Sequence, residues 1–533
     1  MNSKNKYKIG IIIESPYLES WKIESLRKIA ENEENELELL IINENSNSGG
    51  FYEKSFRKFE QKRCKIITDG LKKNELNLKF KNKINIKLNK KNSFFEFKYE
   101  DYKKIIEFDL DVLLSYDYIN IDKSIKNDFK LGFWCLDFPE AGFTPGFDEV
   151  NNQRSTTKCN FIINSSKFSY PKIFLESYSS TDLLYVIRNQ NNMFWKTASF
   201  FPRLLKNIHD YGEEKFYDSL KQKNDFKLTQ TKNKQKMNFY KFIKALYNHT
   251  SKYSKIKKYD SKYWDQFCML YSQKKELDLE FEKFKPIIPP RDKFWADPQL
   301  IVQDKNNHVF FEEFSNSENK GVICTMIINE EGYSEPKKII EESHHLSYPH
   351  VFKFDNQFYM IPESSQKKTI DLYKCEEFPH VWKFKKSLMK NVVATDSTVY
   401  YHNKKWWLFS GMAMMEGASS SEELFLFYSD DPTSTEWIPH IQNPISSDVR
   451  NARPGGHIFK YNNKLLRPSQ NSMKGYGFGI NLNEIIELNE NMFKEKQINK
   501  LEPDWDKKVK AIHTLEYDEG LTIIDARIQV KKI

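Results

Sequence analysis

Three acidic residues in the second half of the chain are of the type and spacing that glycosyl chemistry requires. Asp297 and Asp396 each open a strand-like segment, and Glu363 ends the strand that follows the segment opening at Tyr348. Cleaving or transferring a glycosyl bond takes one carboxylate as base, nucleophile or cation stabiliser, and a second, with a raised pKa, that protonates the leaving group. The sequence therefore predicts Asp297, Glu363 and Asp396 as catalytic residues.

Polar and aromatic residues recur beside these acids and are predicted to bind substrate. Arginine forks suit a phosphate or nucleotide, and flat rings, including those of Trp406 and Trp407, suit the C–H faces of a sugar. The predicted substrate-binding residues are Trp295, Glu313, Tyr348, His350, Arg450, Arg453, His457, Arg467, Gln470 and His513. The alternative for each is structural, because Asp-Pro and Ser-Tyr-Pro also mark ordinary strand starts, and arginines also pair with carboxylates inside proteins.

No metal site and no cofactor are predicted. His344 and His345 are adjacent, so a strand would point them to opposite faces and they could not ligate one ion. The six cysteines show neither a CxxC motif nor a His/Cys ligand spacing. They are expected to be reduced, mostly buried thiols of a cytoplasmic protein.

The elements that must position these residues repeat along the second half of the chain. Segments opening at Asp297, Tyr348, Asp396 and Arg453 follow one another at intervals of about fifty residues, the period of a β-propeller blade. A fainter fifth unit opens at His513. Since the first strand of a blade starts at the central axis, these five residues are predicted to converge on one funnel.

A hairpin is predicted after each of the first four openings, with an apolar strand, a polar turn and a second strand. The turns include Asp355-Asn356, Asn403-Lys404 and Asn462-Asn463. The second strands are predicted at His308–Phe314, Gln357–Ser364, Lys405–Ser410 and Lys464–Gln470.

Two domains and a linker are predicted from these patterns. Residues 262–533 are predicted to form an all-β, five-bladed propeller, which Trp264–Ser272 closes by pairing with the last blade. Residues 1–212 are predicted to be an α/β domain of Rossmann type, because Lys8–Ile13, Ser20–Asn32 and Leu37–Ile42 have the β-α-β order of a parallel sheet. Further strands are expected at Asp111–Ser115 and Gly132–Leu136. Residues 213–261, rich in Lys, Asn and Gln, are predicted as a linker.

Composition excludes several classes of protein. With 533 residues, 39% hydrophobic and 15% aromatic, the chain has enough apolar material for two or three folded domains and is not disordered. The net charge of +9 is modest and spread along the chain, so a nucleic-acid partner is not expected. No run of about 18 apolar residues exists, which excludes a transmembrane helix but leaves room for peripheral membrane association. Residues 1–7 are polar and lead straight into a strand, so secretion is not expected.

The first domain resembles the formyltransferase fold of the methionyl-tRNA and sugar-nucleotide formyltransferases, on the stretches Lys8–Ile13, Asp109–Tyr116 and Gly132–Asp137. The resemblance implies that an Asn on the last of these strands and a His after it are directed at the formyl carbon. Cys135 and Asp137 or Phe138 stand in those places. Formyl transfer is therefore not expected, because its base and oxyanion donor are missing. Recognition of a nucleotide or an acceptor at the carboxyl ends of the strands is the alternative.

The second half resembles the five-bladed propellers of glycosidase and fructosyltransferase families 43, 32 and 68. The resemblance implies that Asp297 is the base or nucleophile and that Asp396 stabilises the transition state. For the acid, Glu363 is the nearest match, although it lies in the second blade. More specifically, residues 7–530 resemble the formyltransferase-like plus propeller proteins related to the N-terminal region of plant glucosamine inositolphosphorylceramide transferases. This resemblance rests on residues 294–298, 345–349, 359–364, 443–444, 452–456 and 466–470.

These observations favour a cytoplasmic glycosyltransferase with its active site in the propeller funnel. It would move a sugar, with a furanose preferred, from a nucleotide- or phosphate-activated donor onto a bacterial-type surface glycan or a glycolipid. One alternative is a glycoside hydrolase or transglycosidase of the five-bladed type, acting on neutral glycans without a nucleotide. The other is a glycan-binding protein without catalytic activity.

Overall fold

The chain folds into two compact units. The computed structural model describes residues 6–45, 50–91, 94–120, 128–139, 144–226, 237–518 and 520–532. The first unit is Met1–Ser254 with Met415–Ala418, and the second is Lys255–Met414 with Ser419–Ile533. The segment predicted as a linker contains two helices, Glu213–Lys221 and Phe239–Asp260. No described helix is long and apolar enough to cross a membrane.

The first unit is an α/β structure. Its described strands are β1 (Tyr7–Ile13), β2 (Tyr17–Glu19), β3 (Asn35–Asn43), β4 (Lys73–Glu75), β5 (Asn82–Ile86), β6 (Asn89–Lys91), β7 (Phe94–Glu96), β8 (Val112–Ser115), β9 (Ile119–Asn120), β10 (Gly132–Asp137), β11 (Thr156–Asn164) and β12 (Lys172–Ser180). Its described helices are α1 (Ser20–Ala30), α2 (Phe51–Gln61), α3 (Tyr99–Ile106), α4 (Phe147–Asn151), α5 (Val186–Thr197), α6 (Phe200–Tyr211) and α7 (Glu213–Lys221), with α8 (Phe239–Asp260) running past the boundary at Ser254.

Seven of these strands form one mixed sheet, in the order β5-β3-β1-β8-β10-β11-β12. The pairs from β5 to β10 are parallel, and β11 and β12 add an antiparallel edge. Along β1, Ile9, Ile11 and Ile13 pack in one apolar core and Ile12 packs in another, as alternation along a strand requires. The predicted α/β class and the parallel pairing of β1 with β3 are confirmed, whereas the Rossmann or formyltransferase type stays a prediction.

The second unit is a five-bladed propeller of antiparallel sheets. Blade one contains β15 (Lys293–Gln303), β16 (Asn306–Ser315), β17 (Lys320–Asn329), β18 (Gly332–Tyr333) and β19 (Lys337–Ile340); blade two contains β20 (Ser347–Phe354), β21 (Gln357–Ser364), β22 (Thr369–Glu377) and β23 (Val381–Lys390). Blade three contains β24 (Val393–His402), β25 (Lys405–Ala413), β26 (Leu424–Ser429) and β27 (Ile438–Pro439); blade four contains β28 (Phe459–Tyr461), β29 (Lys464–Asn471), β30 (Gly479–Leu488) and β31 (Phe493–Leu501). The closing blade contains β13 (Tyr263–Ser272), β14 (Lys285–Ile287), β32 (Val509–Ala511), β33 (Leu515–Asp518) and β34 (Leu521–Lys531). Short 3₁₀ helices span Phe281–Lys283 and Ser365–Lys367.

The predicted hairpins are confirmed, and the same type of turn joins the first two strands in each of blades one to four. In blades one to four the first two strands are joined by two residues with positive φ: Asp304-Lys305, Asp355-Asn356, Asn403-Lys404 and Asn462-Asn463. Positive φ at both central residues is the type I′ geometry, whose twist matches that of paired strands and which Asn and Asp tolerate. The predicted closure is also confirmed, since β13 pairs antiparallel with β34 from Tyr263 opposite Lys531 to Ser272 opposite Thr522.

Candidate active site

Three residues that open blades share an unusual backbone conformation. Asp297, Tyr348 and Asp396 have φ of 53°, 41° and 50°, a left-handed region that costs residues other than glycine roughly 1–3 kcal/mol each. In each blade the pairing register between the first two strands breaks at this residue. One local distortion is thus repeated in blades one, two and three, at positions that the sequence predicted to meet at the axis.

Arg453 of blade four joins acids from two other blades. Its Nε and Nη2 donate to the two carboxylate oxygens of Asp396, at 2.5 and 3.0 Å, and Nη2 also lies 3.3 Å from Glu363 Oε2. Nη1 donates to Ser421 Oγ at 3.1 Å, and the amide of Gln470 donates to Asp396 Oδ2 at 2.6 Å. The Asp396 side chain is fully buried, whereas Arg453 and Glu363 are 9% and 10% exposed. A bidentate pair of this kind fixes both position and orientation of the carboxylate.

The Asp396 carboxyl group is poised to hold a proton near neutral pH. Burial raises its pKa, Arg453 opposes the rise, Glu363 adds to it, and the resulting pKa is about 7. A side-chain hydrogen bond also couples Asp396 to Glu363. Asp396, Glu363 and Arg453 therefore form one hydrogen-bonded group rather than a single ion pair.

A second group surrounds Asp297. Asp525 accepts hydrogen bonds from the backbone N–H groups of Asp297, His513 and Thr514, at 3.0, 2.9 and 3.0 Å. Thr514 Oγ1 donates to Asp297 Oδ1 at 3.0 Å. The His513 ring lies between the two acids: Nδ1 contacts Asp525, and Nε2 is 3.6 Å from Asp297 Oδ1. Since both ring nitrogens face carboxylates, the geometry favours the doubly protonated imidazolium.

The pKa values follow this geometry. Burial raises the pKa of Asp297 to about 6, with His513 opposing and Asp396 adding to the rise. Burial acts to lower the pKa of His513, but Asp525 and Asp297 together outweigh it and the pKa is raised. Burial acts to raise the pKa of Asp525, but His513 and the backbone N–H donors outweigh it and the pKa is lowered. The pKa values of both Asp297 and Asp396 are thus raised from the ordinary carboxyl range toward neutral pH.

Glu312 belongs to the site, although the sequence did not single it out. It is 5% exposed, and burial followed by the charge of Asp297 raises its pKa well above the ordinary value. His345 accepts the Gly321 N–H at Nδ1, so its proton is on Nε2, which lies 3.4 Å from Glu312 Oε1. We call Asp297, Glu312, Glu363, Asp396, Arg453 and His513 the axial cluster.

Aromatic rings border the axial cluster. Phe294 and Phe314 stack at 4.5 Å between ring centroids, and Phe267 stacks on His513 at 4.7 Å. Tyr476 is 46% exposed, with its ring centre 5.1 Å from the Arg453 guanidinium and 5.5 Å from the His513 ring. Gly477 permits this approach, because it has φ of 58° and a Cβ there would lie 2.8 Å from the Cβ of His513. Sequence reasoning missed Tyr476; the glycines that flank it were the available signal.

One group of axial residues has the composition of a metal site. The ligand atoms of Asp297, His513 and Asp525 lie within 4.8 Å of one another, and no other such group occurs in the described residues. However, Asp525 already accepts three backbone N–H groups and a contact from His513. Its oxygens are occupied by internal donors, which favours a positioning role over ligation of an ion.

Residues 289–518 match the family model of the N-terminal part of glucosamine inositolphosphorylceramide transferase 1. The proteins of that name from Oryza sativa subsp. japonica and Arabidopsis thaliana are 35% and 34% identical to this chain over 210 and 209 residues. These alignments cover 39% and 38% of this chain, but only 28% and 27% of the relatives. The matched segment contains the whole axial cluster and Tyr476, and leaves out residues 1–288.

Solved structures of glycoside hydrolases share the propeller architecture at low similarity. Zg3597, a family 117 glycoside hydrolase from Zobellia galactanivorans, is 10% identical, with a TM-score of 0.32 over 50% of this chain and 90% of that chain. The catalytic domain of a Coprinopsis cinerea GH62 α-L-arabinofuranosidase is also 10% identical, with a TM-score of 0.34 over 49% and 97%. Likeness at this level carries no argument about activity.

The structure corrects the predicted assignments of Glu313 and the tryptophans. Glu313 accepts hydrogen bonds from Lys293 at 2.8 Å and the Trp295 indole at 2.9 Å, away from the axial cluster. Consecutive residues of a strand point to opposite faces, so Glu312 and Glu313 cannot both face the axis. Trp295 is buried in an apolar core against Phe311. Trp406 and Trp407 are likewise core residues, which leaves Tyr476 as the exposed ring.

Three further predicted binding residues form a buried network instead. The Tyr348 hydroxyl bonds Thr398 Oγ1 and accepts the Gly456 N–H, both at 2.9 Å. His350 Nε2 accepts the Val399 N–H at 3.0 Å, and the His350 and His457 rings are 4.4 Å apart. His457 is held by Glu516 at 2.5 Å and by the Val351 carbonyl at 2.8 Å. These bonds join blade two to blade three, blade two to the segment that opens blade four, and that segment to the closing blade, which indicates a structural role.

Two predicted arginines also lie outside the axial cluster. Arg450 pairs with Asp448 through its Nε, at 2.8 and 3.0 Å, and is 40% exposed. Arg467 is buried and donates to Glu495 at 2.8 and 2.7 Å and to the Asn451 carbonyl at 2.9 Å. Each is neutralised within blade four. Three of the predicted binding residues do contact the predicted catalytic acids: Arg453 contacts Asp396 and Glu363, Gln470 contacts Asp396, and the His513 ring faces Asp297.

Proposed function

We propose that the propeller transfers a glycosyl group at the axial cluster. The observation that carries this proposal is the gathering of acidic side chains from three blades, Asp297, Glu363 and Asp396, with Arg453 bound to two of them. Carboxyl groups that share one site supply the acid role and the base, nucleophile or cation-stabilising role of glycosyl chemistry. The transferase names of the relatives support the reaction class, although this chain spans less than a third of their length.

The roles follow from burial and charge. Asp297, oriented by Thr514 and facing the His513 ring, stabilises positive charge at the anomeric carbon or accepts the acceptor's proton. We assign the proton-donor role to Glu363, because its side chain is 10% exposed whereas that of Asp396 is fully buried. Arg453 holds this pair in place, and Tyr476 offers the exposed ring on which a sugar can stack.

The donor, acceptor and location belong to the proposal as well. We assign a nucleotide- or phosphate-activated sugar, preferably a furanose, as donor and a surface glycan or glycolipid as acceptor. All six cysteines are free and buried, which supports a location in the reducing cytoplasm.

One observation favours a glycoside hydrolase or transglycosidase as the second candidate. The one arginine of the axial cluster, Arg453, is already paired with two carboxylates, so the described part of the cluster contains no unpaired arginine to bind a phosphate. A neutral glycan carries no phosphate and does not require an unpaired arginine.

A nucleotide panel separates the two candidates. Thermal-shift measurements with CMP, CDP, UMP, UDP and GDP should find one that stabilises the protein, by about 2.7 kcal/mol at 100 times its Kd. Turnover of the corresponding nucleotide sugar, followed by nucleotide release and mass spectrometry of the acceptor, then tests transfer. Release of sugar from aryl glycosides with no nucleotide present would instead identify the hydrolase. The absence of both activities would contradict an enzymatic role.

A further inference from the structure

Exposed aromatic side chains form a continuous surface on the first unit. Phe51 of α2 and Phe239, Tyr240, Ile243 and Tyr247 of α8 are 78%, 59%, 72%, 46% and 69% exposed. Tyr52 connects the two helices, since its ring centre lies 5.5 Å from that of Phe51 and 6.0 Å from that of Phe239. We call these five exposed residues the α8 patch.

The α8 patch occupies one side of its helix. At 100° per residue, its four α8 members fall within an arc of about 100°. The opposite side packs against the protein, where Ala245 and His249 are 2% and 5% exposed. Among the described residues, none therefore covers the outward stripe, and soluble proteins rarely leave a contiguous apolar surface of this kind without a partner.

The charge of α8 indicates what that partner is. The helix contains six lysines and a single acid, Asp260. Lys252 donates to the Val150 carbonyl at 2.6 Å, whereas Lys244, Lys255 and Lys258 are exposed. Phe and Tyr rings suit the headgroup region of a bilayer, where one part of the ring is apolar and another is wet. Lysines beside such rings attract anionic lipid phosphates.

We propose that the α8 patch docks on the surface of an anionic lipid bilayer. The rings enter the headgroup layer, the exposed lysines Lys244, Lys255 and Lys258 contact lipid phosphates, and the helix lies in the plane of the membrane without crossing it. This inference is independent of the proposed glycosyl transfer, because it uses no residue of the axial cluster.

Vesicle co-sedimentation tests the proposal. The full chain is mixed with vesicles of phosphatidylcholine alone and with vesicles containing about 30% phosphatidylglycerol, an anionic lipid. Binding to the anionic vesicles and not to the neutral ones is expected, weakening as salt is raised. Phe239→Ser combined with Tyr240→Ser and Tyr247→Ser should reduce binding more than about tenfold. Lys244→Gln combined with Lys255→Gln and Lys258→Gln should do the same.

A matched control uses exposed residues of the propeller, Tyr333→Ser with Ile498→Ser, which are 44% and 41% exposed in the unaltered chain. This variant should bind as the unaltered protein does, and melting temperatures verify that all variants are folded. The proposal is overturned if no vesicle is bound, or if the α8 variants bind as well as the control. It is also overturned if light scattering shows a dimer that the aromatic variant converts to a monomer while vesicle binding is unchanged.

Discussion

Arg453 and Asp396 are 57 residues apart in the chain, yet both Nε and Nη2 of the arginine donate to the Asp396 carboxylate. The arginine opens blade four and the aspartate opens blade three. The pair is buried, with side-chain exposures of 9% and 0%. One contact thus joins adjacent blades and opposes the rise that burial causes in the pKa of Asp396.

Removing the charge of Asp297 should abolish turnover and leave the fold intact. Asp297→Asn is nearly isosteric, and Asn tolerates the left-handed φ of 53° at this position. We expect a rate loss on the order of 10²-fold or more, typical of a lost acid–base or electrostatic group. Parallel melting and turnover measurements check this, and an active Asp297→Asn enzyme would remove the axial cluster from the mechanism.

Breaking the buried arginine pair should destabilise the propeller. In Arg453→Met, Asp396 and Glu363 lose their shared cation, and breaking a buried pair on one side typically costs about 3–5 kcal/mol. The matched control is Arg450→Met, because Arg450 makes an exposed pair with Asp448 and such pairs contribute about 0–1 kcal/mol. Urea unfolding of the two variants compares them; equal losses would show that the axial pair is not important for stability.

The free energy of unfolding should fall as pH rises through the acidic range. Asp297 has a folded pKa of about 6 against an ordinary value of 3.8. Between these values the folded protein keeps a proton that the unfolded chain has lost, so stability is greatest below about pH 4 and declines up to about pH 6 for this group. Asp396 extends the decline to about pH 7, and His513, whose pKa is also raised, acts in the same direction.

Asp297→Asn isolates this contribution. Its stability curve should be flatter than that of the unaltered protein between pH 4 and 6, as chemical unfolding at a series of pH values would show. Parallel curves for the two proteins would mean that Asp297 titrates normally.

Adjacent glutamates should differ in their importance for activity. Glu312→Gln alters a buried carboxyl next to Asp297, whereas Glu313→Gln alters one that bonds Lys293 and Trp295. We expect turnover to drop at least about tenfold in the first variant and to remain within about twofold in the second. Turnover of both variants with the same substrate decides this, and a larger loss for Glu313→Gln would reverse the assignment.

Tyr476 should affect substrate affinity more than the chemical step. Tyr476→Ala removes the exposed ring above Arg453, and we expect KM to rise about tenfold with a smaller change in kcat. Tyr476→Phe keeps the ring and should restore KM. If both variants lower kcat alone, the residue acts on the reacting atoms and not by stacking.

The number of blades and the strand bounds could be predicted because their signals are local. Blade openings recur about every fifty residues, and each hairpin turn uses Asp, Asn or Lys pairs that occupy positive φ. The predicted Gln357–Ser364 coincides with β21, and the other second strands differ from the prediction by one to three residues at an end. The convergence of Asp297, Asp396, Arg453 and His513 follows from the same repeat.

The tertiary structure decides on which face of a strand a side chain lies and with which charged residue it pairs. In blade one, Glu312 and Glu313 lie on opposite faces of β16 beside a register break in its pairing with β15, and Glu312, not Glu313, joins the axial cluster. Arg467 and Arg453 look alike in sequence, but one finds Glu495 within its blade and the other finds Asp396 across a blade boundary. Periodicity determines where strands begin, whereas the pairing of charges depends on distances between residues far apart in the chain, which only the folded propeller sets.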